Sequence, residues 1–346
     1  MKILMIGPLP PPLGGTSVSF NNLIKELETK NLAEIIIVNT GGVRGKGLNA
    51  IPAFINKANQ IFRKAKVSDI VTLHASTTGI PYIGPLCLAA AKYYKKPFVL
   101  RKFGGSDYSE TINVFAGIIA SSIIKRTNIY LVQTKNLVNN YKSKNNNVWV
   151  EWFPTHRNQT LIKIKEEKHC RKFVYVGHVR KNKGIHVLVD AMRQIKDNDI
   201  TLDVYGPWFK DIDKTIFDEH ENISYKGVIE PEKVIETLQN YDALILPTLA
   251  KTEGYPGSII EAFMAGLPVI STTCGAIPEI VDESVGILVP PVDSLKLKEA
   301  MLKLANDKTL FNELRSKACE KANFFSTESA AKRFVNLCTQ CVKAYK

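Results

Sequence analysis

The sequence has no run of the ~18–20 apolar residues that a membrane-spanning helix requires. Its longest candidates, Ile80–Ala91 and Ile112–Ile124, fall short and carry Pro, Gly, Ser or Asn. Met1–Ile6 runs directly into the Pro/Gly-rich segment Gly7–Gly15, which leaves no apolar core for a secretory signal. These absences lead us to expect a cytoplasmic protein. Cysteine is scarce, with six residues at 87, 170, 274, 319, 338 and 341. Cys338 and Cys341 form a CxxC, but no second pair stands at zinc-like spacing, so free core thiols are expected. A GxGxxG dinucleotide fingerprint is missing after the first strand, and no acidic strand end follows about 20 residues on. No metal cluster of the Asp-x-Asp type is expected near the acidic segment described below, so no metal is expected.

Acidic residues are few in one half only. Residues 1–160 hold 20 Lys and Arg against 7 Asp and Glu, whereas residues 161–346 hold 26 of each. The whole net charge of +13 therefore belongs to the first half. Such asymmetry suits a polyanionic or membrane-surface partner, or a merely solvated surface.

At 346 residues, two domains are expected. Short β-branched runs at Lys2–Ile6, Ile35–Val38, Ile70–Leu73, Phe98–Leu100 and Ile129–Val132 read as buried parallel strands. Helical patterns separate them at Ser17–Leu27, Pro85–Tyr94 and Ile112–Lys125. The alternation pauses at Trp149–Lys172, which reads as a linker, and then restarts. Strands are expected at Phe173–Val176, Thr201–Tyr205, Ile223–Lys226, Ala243–Leu246, Val269–Ser271 and Gly286–Val289. Helices are expected at Ile185–Ile195, Glu232–Asn240, Ser258–Ala265 and Ser294–Leu304. The pattern predicts an α/β chain of two doubly wound, Rossmann-like domains, 1–160 and 161–327, facing across a cleft. A last apolar-faced helix, 328–346, is expected to pack back onto the first domain.

The sharpest chemical signal is Glu253-Gly-Tyr-Pro-Gly-Ser-Ile-Ile-Glu261. Gly254, Pro256 and Gly257 make a turn that opens a helix at about Ser258. Free N–H groups at such a helix start attract an anion. Glu261, about one turn in, can accept from a ribose diol, and Glu253 can reach hydroxyls of an attached sugar. The plainer reading is a capped surface helix with incidental acids.

Leu244–Pro291 resembles the donor segment of the retaining, metal-independent glycosyltransferases of family four. The resemblance rests on Pro247-Thr248, Glu253-Gly254, Glu261-Ala262, Ala265–Ile270, Gly275, Pro278–Val281 and Gly286–Val289. It implies the GT-B fold and weakens in the first half. It also implies that Val176–Gly184 grips the donor diphosphate through an Arg after the first Gly and a Lys before the last. Lys183 matches, but His178 stands at the Arg position, so either His178 or Arg180 takes that part. Gly14 and Gly15 match a loop that approaches the donor phosphates, and the Gly257–Ile259 N–H groups are expected to hold the diphosphate with Lys183 and Arg180. Phe103 holds the place of a family histidine, so that role does not carry over. Asp107 and His74 are the rival catalytic groups, and Arg101 and Lys102 are expected on the acceptor or phosphate side.

The resemblance implies a retaining hexosyl- or N-acetylhexosaminyl-transferase of surface polysaccharide assembly, such as O-antigen or capsule. No cofactor is expected beyond the nucleotide-diphosphate sugar itself, with UDP favoured over GDP. The basic half suits a lipid-linked saccharide acceptor and peripheral binding to the anionic inner face of the cell membrane. No nucleic acid partner is expected. The rivals are a nucleotide-sugar epimerase on the same architecture and a catalytically silent nucleotide-sugar-binding subunit.

Overall fold

The computed structural model describes residues 1–11, 14–41, 50–107, 113–144, 148–158, 169–218 and 220–345. Most of the charged run 163–172 lies outside these, as does Ile112. The chain divides into two compact units, Met1–Asn158 with Ser326–Lys346, and Gln159–Phe325.

In the first unit six strands pair in parallel: β1 (Lys2–Gly7), β2 (Glu34–Asn39), β3 (Ile70–Ser76), β4 (Phe98–Phe103), β5 (Ile129–Val132) and β6 (Trp149–Trp152). Their order is β2-β1-β3-β4-β5-β6, so the winding reverses between β1 and β3. The crossovers are α1 (Gly15–Thr29), α2 (Ala50–Val67), α3 (Ile80–Tyr93), α4 (Val114–Ile124) and α5 (Lys135–Lys144). Strand side chains alternate between faces, so each strand serves two cores. Leu4, Ile6, Val71, Leu73 and Leu100 pack with Ile61 of α2 and Cys87 of α3. Ile3, Met5, Ile70, Val99 and Leu131 pack on the opposite face with Phe20, Leu23 and Leu27 of α1.

The second unit repeats the scheme with β7 (Lys172–Val176), β8 (Thr201–Tyr205), β9 (Ile223–Gly227), β10 (Ala243–Leu246), β11 (Val269–Thr272) and β12 (Gly286–Val289). Their parallel order, β12-β11-β10-β7-β8-β9, reverses between β7 and β10. Its helices are α6 (Ile185–Arg193), α7 (Val234–Leu238), α8 (Gly257–Met264), α9 (Ser294–Asn306) and α10 (Lys308–Ala322). The chain then returns as α11 (Thr327–Tyr345), which lies against α1. Phe334, Leu337, Cys338 and Cys341 of α11 close the second core of the first unit.

The structure departs from the sequence reading in four elements. The expected linker holds β6, whose Val150 is buried. The helices α2, α5 and α10 were not foreseen: α5 is short and the apolar stripe of α10 is weak, whereas α2 is long and clearly amphipathic and was passed over. The first unit now counts 24 Lys and Arg against 8 Asp and Glu, since residues 326–346 add four cations and one acid. The second unit counts 22 against 25.

A polar cluster sits within the α1/α11 face of the first unit. Ser19 of α1 meets His156 Nε2 at 3.2 Å, and His156 Nδ1 meets the Thr327 hydroxyl at 3.3 Å. His74 is enclosed by Phe20 and Phe334. Burial, and then the Arg101 charge, hold His74 well below its usual pKa; burial, then Arg101 and Arg157, do the same for His156. Both rings are therefore neutral when folded and protonate more readily when unfolded. The stability this contributes is present above pH ~6.5 and is lost as pH falls below that unfolded value. Chemical unfolding between pH 7 and 5 should show stability falling by up to about 2.7 kcal/mol per pH unit for the two groups. His156→Gln should remove about half of that slope, and an unchanged slope would show that His156 is already charged in the folded chain.

Candidate functional site

The reversal between β7 and β10 leaves a crevice at the carboxyl ends of those strands, the usual ligand position in an open parallel sheet. Two loops meet there. One follows β7 through the 3-10 turn Lys181–Lys183 into α6. The other follows β10 from Pro247 to the start of α8. Gly184 joins them. Its φ is +77°, and an added Cβ would lie 1.9 Å from the Pro247 carbonyl oxygen. Leu249 N–H donates to the Asn182 carbonyl at 2.9 Å across the same junction.

This contact places Lys183 beside Glu253, and the two form an ion pair. The Thr248 hydroxyl lies 3.1 Å from the same Glu253 Oε2 and 3.3 Å from the Asn182 carbonyl. Thr248 is fully buried, while about a fifth of the Lys183 side chain remains exposed. The Glu253 backbone is held as firmly. Its carbonyl accepts from Ala276 N–H at 2.9 Å, and Gly275, at φ +57°, leaves room for it. An added Cβ at Gly275 would come within 2.3 Å of that oxygen. Tyr255 donates to Glu279 at 2.7 Å and fixes the turn from the other side.

Pro256 occupies the N-cap of α8 and offers no side-chain acceptor to Gly257, Ser258 or Ile259. Glu261 is the fifth residue of α8 and is half-buried. The sequence reading therefore places Lys183, Glu253, Gly254, Gly257, Ser258, Ile259 and Glu261 on two adjoining loops and one helix start. It missed the part of Thr248, which was singled out only as a motif residue. Its partner Asn182 lies 66 positions away in sequence.

His178 and Arg180 flank this group differently. Arg180 pairs with Asp211 at 3.6 Å and lies over the Phe209 ring at 4.9 Å. His178 stacks against the same ring at 4.8 Å. Partial burial, then the charges of Lys183 and Arg180, lower the His178 pKa, and Glu253 opposes them. Asp211 belongs to an Asp-Ile-Asp run, which the sequence reading overlooked when it placed no such cluster near the site. Asp211 is engaged by Arg180, and Asp213 accepts from the Thr215 amide and hydroxyl. Among the described residues no group of three or more His, Cys, Asp or Glu could hold a metal ion.

The first unit corrects several expectations. His74, Arg101 and Lys102 do not face an open site. Their strand positions turn them into the face covered by α1 and α11 or into the following loop. Arg101 is 2% exposed, stacked between Phe103 and Phe153 at 4.4 and 4.5 Å, and bonded to Ser19 at 3.1 Å. Burial, then repulsion from Arg157, lowers its pKa to about 9. Lys102 Nζ donates to the carbonyls of Gly104 and Ser106 at 3.1 and 2.6 Å and so shapes the loop after β4. Phe103, at the place of the family histidine, is thus a wall for Arg101. Asp107 accepts from Tyr141 at 3.1 Å. Gly14 caps α1 in an extended conformation, and an added Cβ at Gly15 would meet nothing within 4 Å.

Residues 170–307 match the family model for glycosyl transferases, group 1. A Salmonella typhimurium glycosyltransferase named for colanic acid biosynthesis, WcaL, is 27% identical over 197 residues, 53% of this chain and 47% of that protein. The D-rhamnosyltransferase WbpZ of Pseudomonas aeruginosa is 26% identical over 156 residues, 43% of this chain and 40% of its own length. The chain thus spans about half the length, or less, of these curated relatives. Among solved structures, Anabaena Alr3699/HepE in complex with UDP aligns with a TM-score of 0.77 at 14% identity, covering 98% of this chain and 100% of that one. Sucrose-phosphate synthase of Thermosynechococcus elongatus aligns at 0.75 and 15%, covering 99% of each. The second unit carries the group 1 glycosyl transferase segment, and the fold is that of the GT-B glycosyltransferases.

The Gly184–Pro247 contact predicts the cost of disturbing the site. Gly184→Ala must either strain a left-handed backbone or push the two loops apart. Urea unfolding should show a loss of about 1–3 kcal/mol. A change within about 0.5 kcal/mol, the usual range for an inconsequential surface substitution, would mean that the two loops are not packed this closely.

Proposed function

We propose that this chain is a retaining glycosyltransferase that takes a hexosyl or N-acetylhexosaminyl group from a nucleotide-diphosphate sugar. The observation that carries the reading is the Lys183–Glu253–Thr248 constellation at the β7/β10 reversal, beside the helix start that leads to Glu261. The leaving diphosphate lies against Lys183 and the Gly257–Ile259 N–H groups, with His178 and Arg180 alongside. Glu261 holds the ribose, and Glu253 orients the transferred sugar. The bond from the anomeric carbon to the diphosphate breaks, and the acceptor oxygen bonds to that carbon on the same face. The acceptor's proton passes to a diphosphate oxygen. Fixed cations and backbone donors meet the charge that develops on the leaving group, so the step runs without a metal. The UDP complex of the structural neighbour favours UDP over GDP as the donor nucleotide.

Relatives named for colanic acid and O-antigen chains favour assembly of a surface polysaccharide, and the basic first unit suits a saccharide on a lipid carrier as acceptor. Glu261→Ala should weaken binding of the free nucleotide diphosphate. Glu253→Ala should leave that binding within about threefold yet lower turnover by about 10²-fold or more, the order expected for a group that acts in the transition state. Equal loss of nucleotide affinity in both variants would overturn this division of roles.

A lipid-borne acceptor places the protein at the anionic inner face of the cell membrane, held by its first unit. Two observations support this. The first unit carries the entire excess of positive charge, and α4 presents an unpartnered apolar face. Val114, Phe115 and Ile118 are 81%, 74% and 63% exposed, while Ala120, Ile123 and Ile124 of the same helix are buried. Lys125 and Arg126 follow α4, and Lys92, Lys95 and Lys96 end the neighbouring α3. Among the described residues no helix is long and apolar enough to cross a membrane. Each cation near an anionic surface contributes about 1 kcal/mol, screened over a Debye length of about 8 Å in physiological salt. Vesicles rich in anionic lipid should therefore sediment the protein at low salt and release it at high salt. Phe115→Ser with Ile118→Ser should weaken that binding. Equal binding to neutral vesicles would refute electrostatic docking.

A further inference from the structure

We infer that His178 takes up a proton when a nucleotide diphosphate binds, and so makes donor affinity depend on pH. The inference rests on the donor-site reading above. It starts from the charge balance of the loop after β7. Lys183 is already paired with Glu253, and Arg180 with Asp211. Of the three permanent cations in this loop, Arg180 and Lys183 are thus matched by carboxylates, while Lys181 is exposed to solvent. A diphosphate brought against Lys183 adds negative charge that the two ion pairs do not cancel. His178 is the neighbouring residue able to change its charge near neutral pH.

The surroundings of the ring fit that part. Its own loop contributes Lys183 and Arg180, the segment before α8 contributes Glu253, and the segment after β8 contributes the Phe209 ring and Asp211. The Tyr175 hydroxyl donates to the His178 backbone carbonyl at 2.7 Å and anchors the residue without touching its ring nitrogens. Among the described residues those nitrogens have no hydrogen-bond partner, and the ring is partly exposed. In the unliganded chain, partial burial and the two nearby cations disfavour the imidazolium. A dianion beside Lys183 reverses the sign of that field. The liganded pKa therefore lies above the unliganded one. By linkage, the added affinity is fully present below the unliganded pKa and is lost as pH rises through the liganded pKa. A permanent arginine at the same position would supply its charge at every pH; histidine supplies it only when the ligand calls for it.

The test is calorimetric titration of the whole chain with UDP and with GDP from pH 6.5 to 8.5, in two buffers of different ionisation enthalpy. The terminal phosphate of the probe also titrates near pH 6. His178→Gln is therefore the reference, and the difference in slope is the readout. Native protein should take up a fraction of a proton more than His178→Gln. Its affinity should fall with rising pH by up to tenfold per unit relative to that variant, the limit for one proton. His178→Arg should bind at pH 8.5 more tightly than either, with the slope of the Gln variant. Parallel slopes in native protein and His178→Gln, with no difference in proton uptake, overturn this inference and leave the donor-site reading intact. Failure of UDP and GDP to bind at any pH overturns both.

Discussion

Gly184 has no side chain, and the Pro247 carbonyl stands where one would begin. That close approach is the constraint on which the candidate site depends. It lets the loop after β7 touch the loop after β10, so residues far apart in sequence come within hydrogen-bonding distance. The Lys183–Glu253 pair and the Thr248 hydroxyl shared with Asn182 span that junction, and a second close approach, at Gly275, backs Glu253. Each partner is fixed by backbone as well as by side chain, so the carboxylate is held in place before any ligand arrives. Preorganisation of this kind is what lets fixed dipoles and charges act on a developing charge without first rearranging.

The second unit was largely legible in the sequence, because its chemistry is tied to local backbone geometry. Gly254, Pro256 and Gly257 must stand close together to make the turn before α8, and that spacing can be read along the chain. The first unit was less legible. His74 and Arg101 lie near the ends of strands, where ligand groups are often found, and they are register partners on β3 and β4. Whether they meet solvent is decided by distant residues, Phe334 of α11 for His74 and Phe153 with Ser19 for Arg101, which no local pattern announces. The cluster of Ser19, His156 and Thr327 was invisible for the same reason. Thr248 shows a third limit. Its motif was recognised, but the task of its hydroxyl appears only once Asn182 is beside it.

The two units also differ in how they handle charge. The second matches its cations with acids, as in the pairs Arg171–Asp197, Lys226–Asp203 and Lys321–Asp282. The first buries Arg101 between two phenylalanine rings, with no carboxylate among the groups that shift its pKa. Burying a cation in this way is costly unless hydrogen bonds and aromatic faces offset the lost hydration. Arg101 has the two rings and a bond from Nη2 to Ser19, but its buried Nη1 has no partner among the described residues, so the offset is incomplete.

The return of α11 has a consequence for the order in which the chain can be built. The second unit is contiguous, from Gln159 to Phe325, whereas the first is split around it. During synthesis at about 5–20 residues per second, β1–β6 leave the ribosome well before the helix that covers one of their faces. For roughly 10–30 s, then, Ile3, Met5, Phe20 and Val99 have no Phe334 or Leu337 to pack against. The nascent first unit is a half-covered sheet during that interval, exposed to chaperones and to misassociation, while the second unit can already be folding behind it.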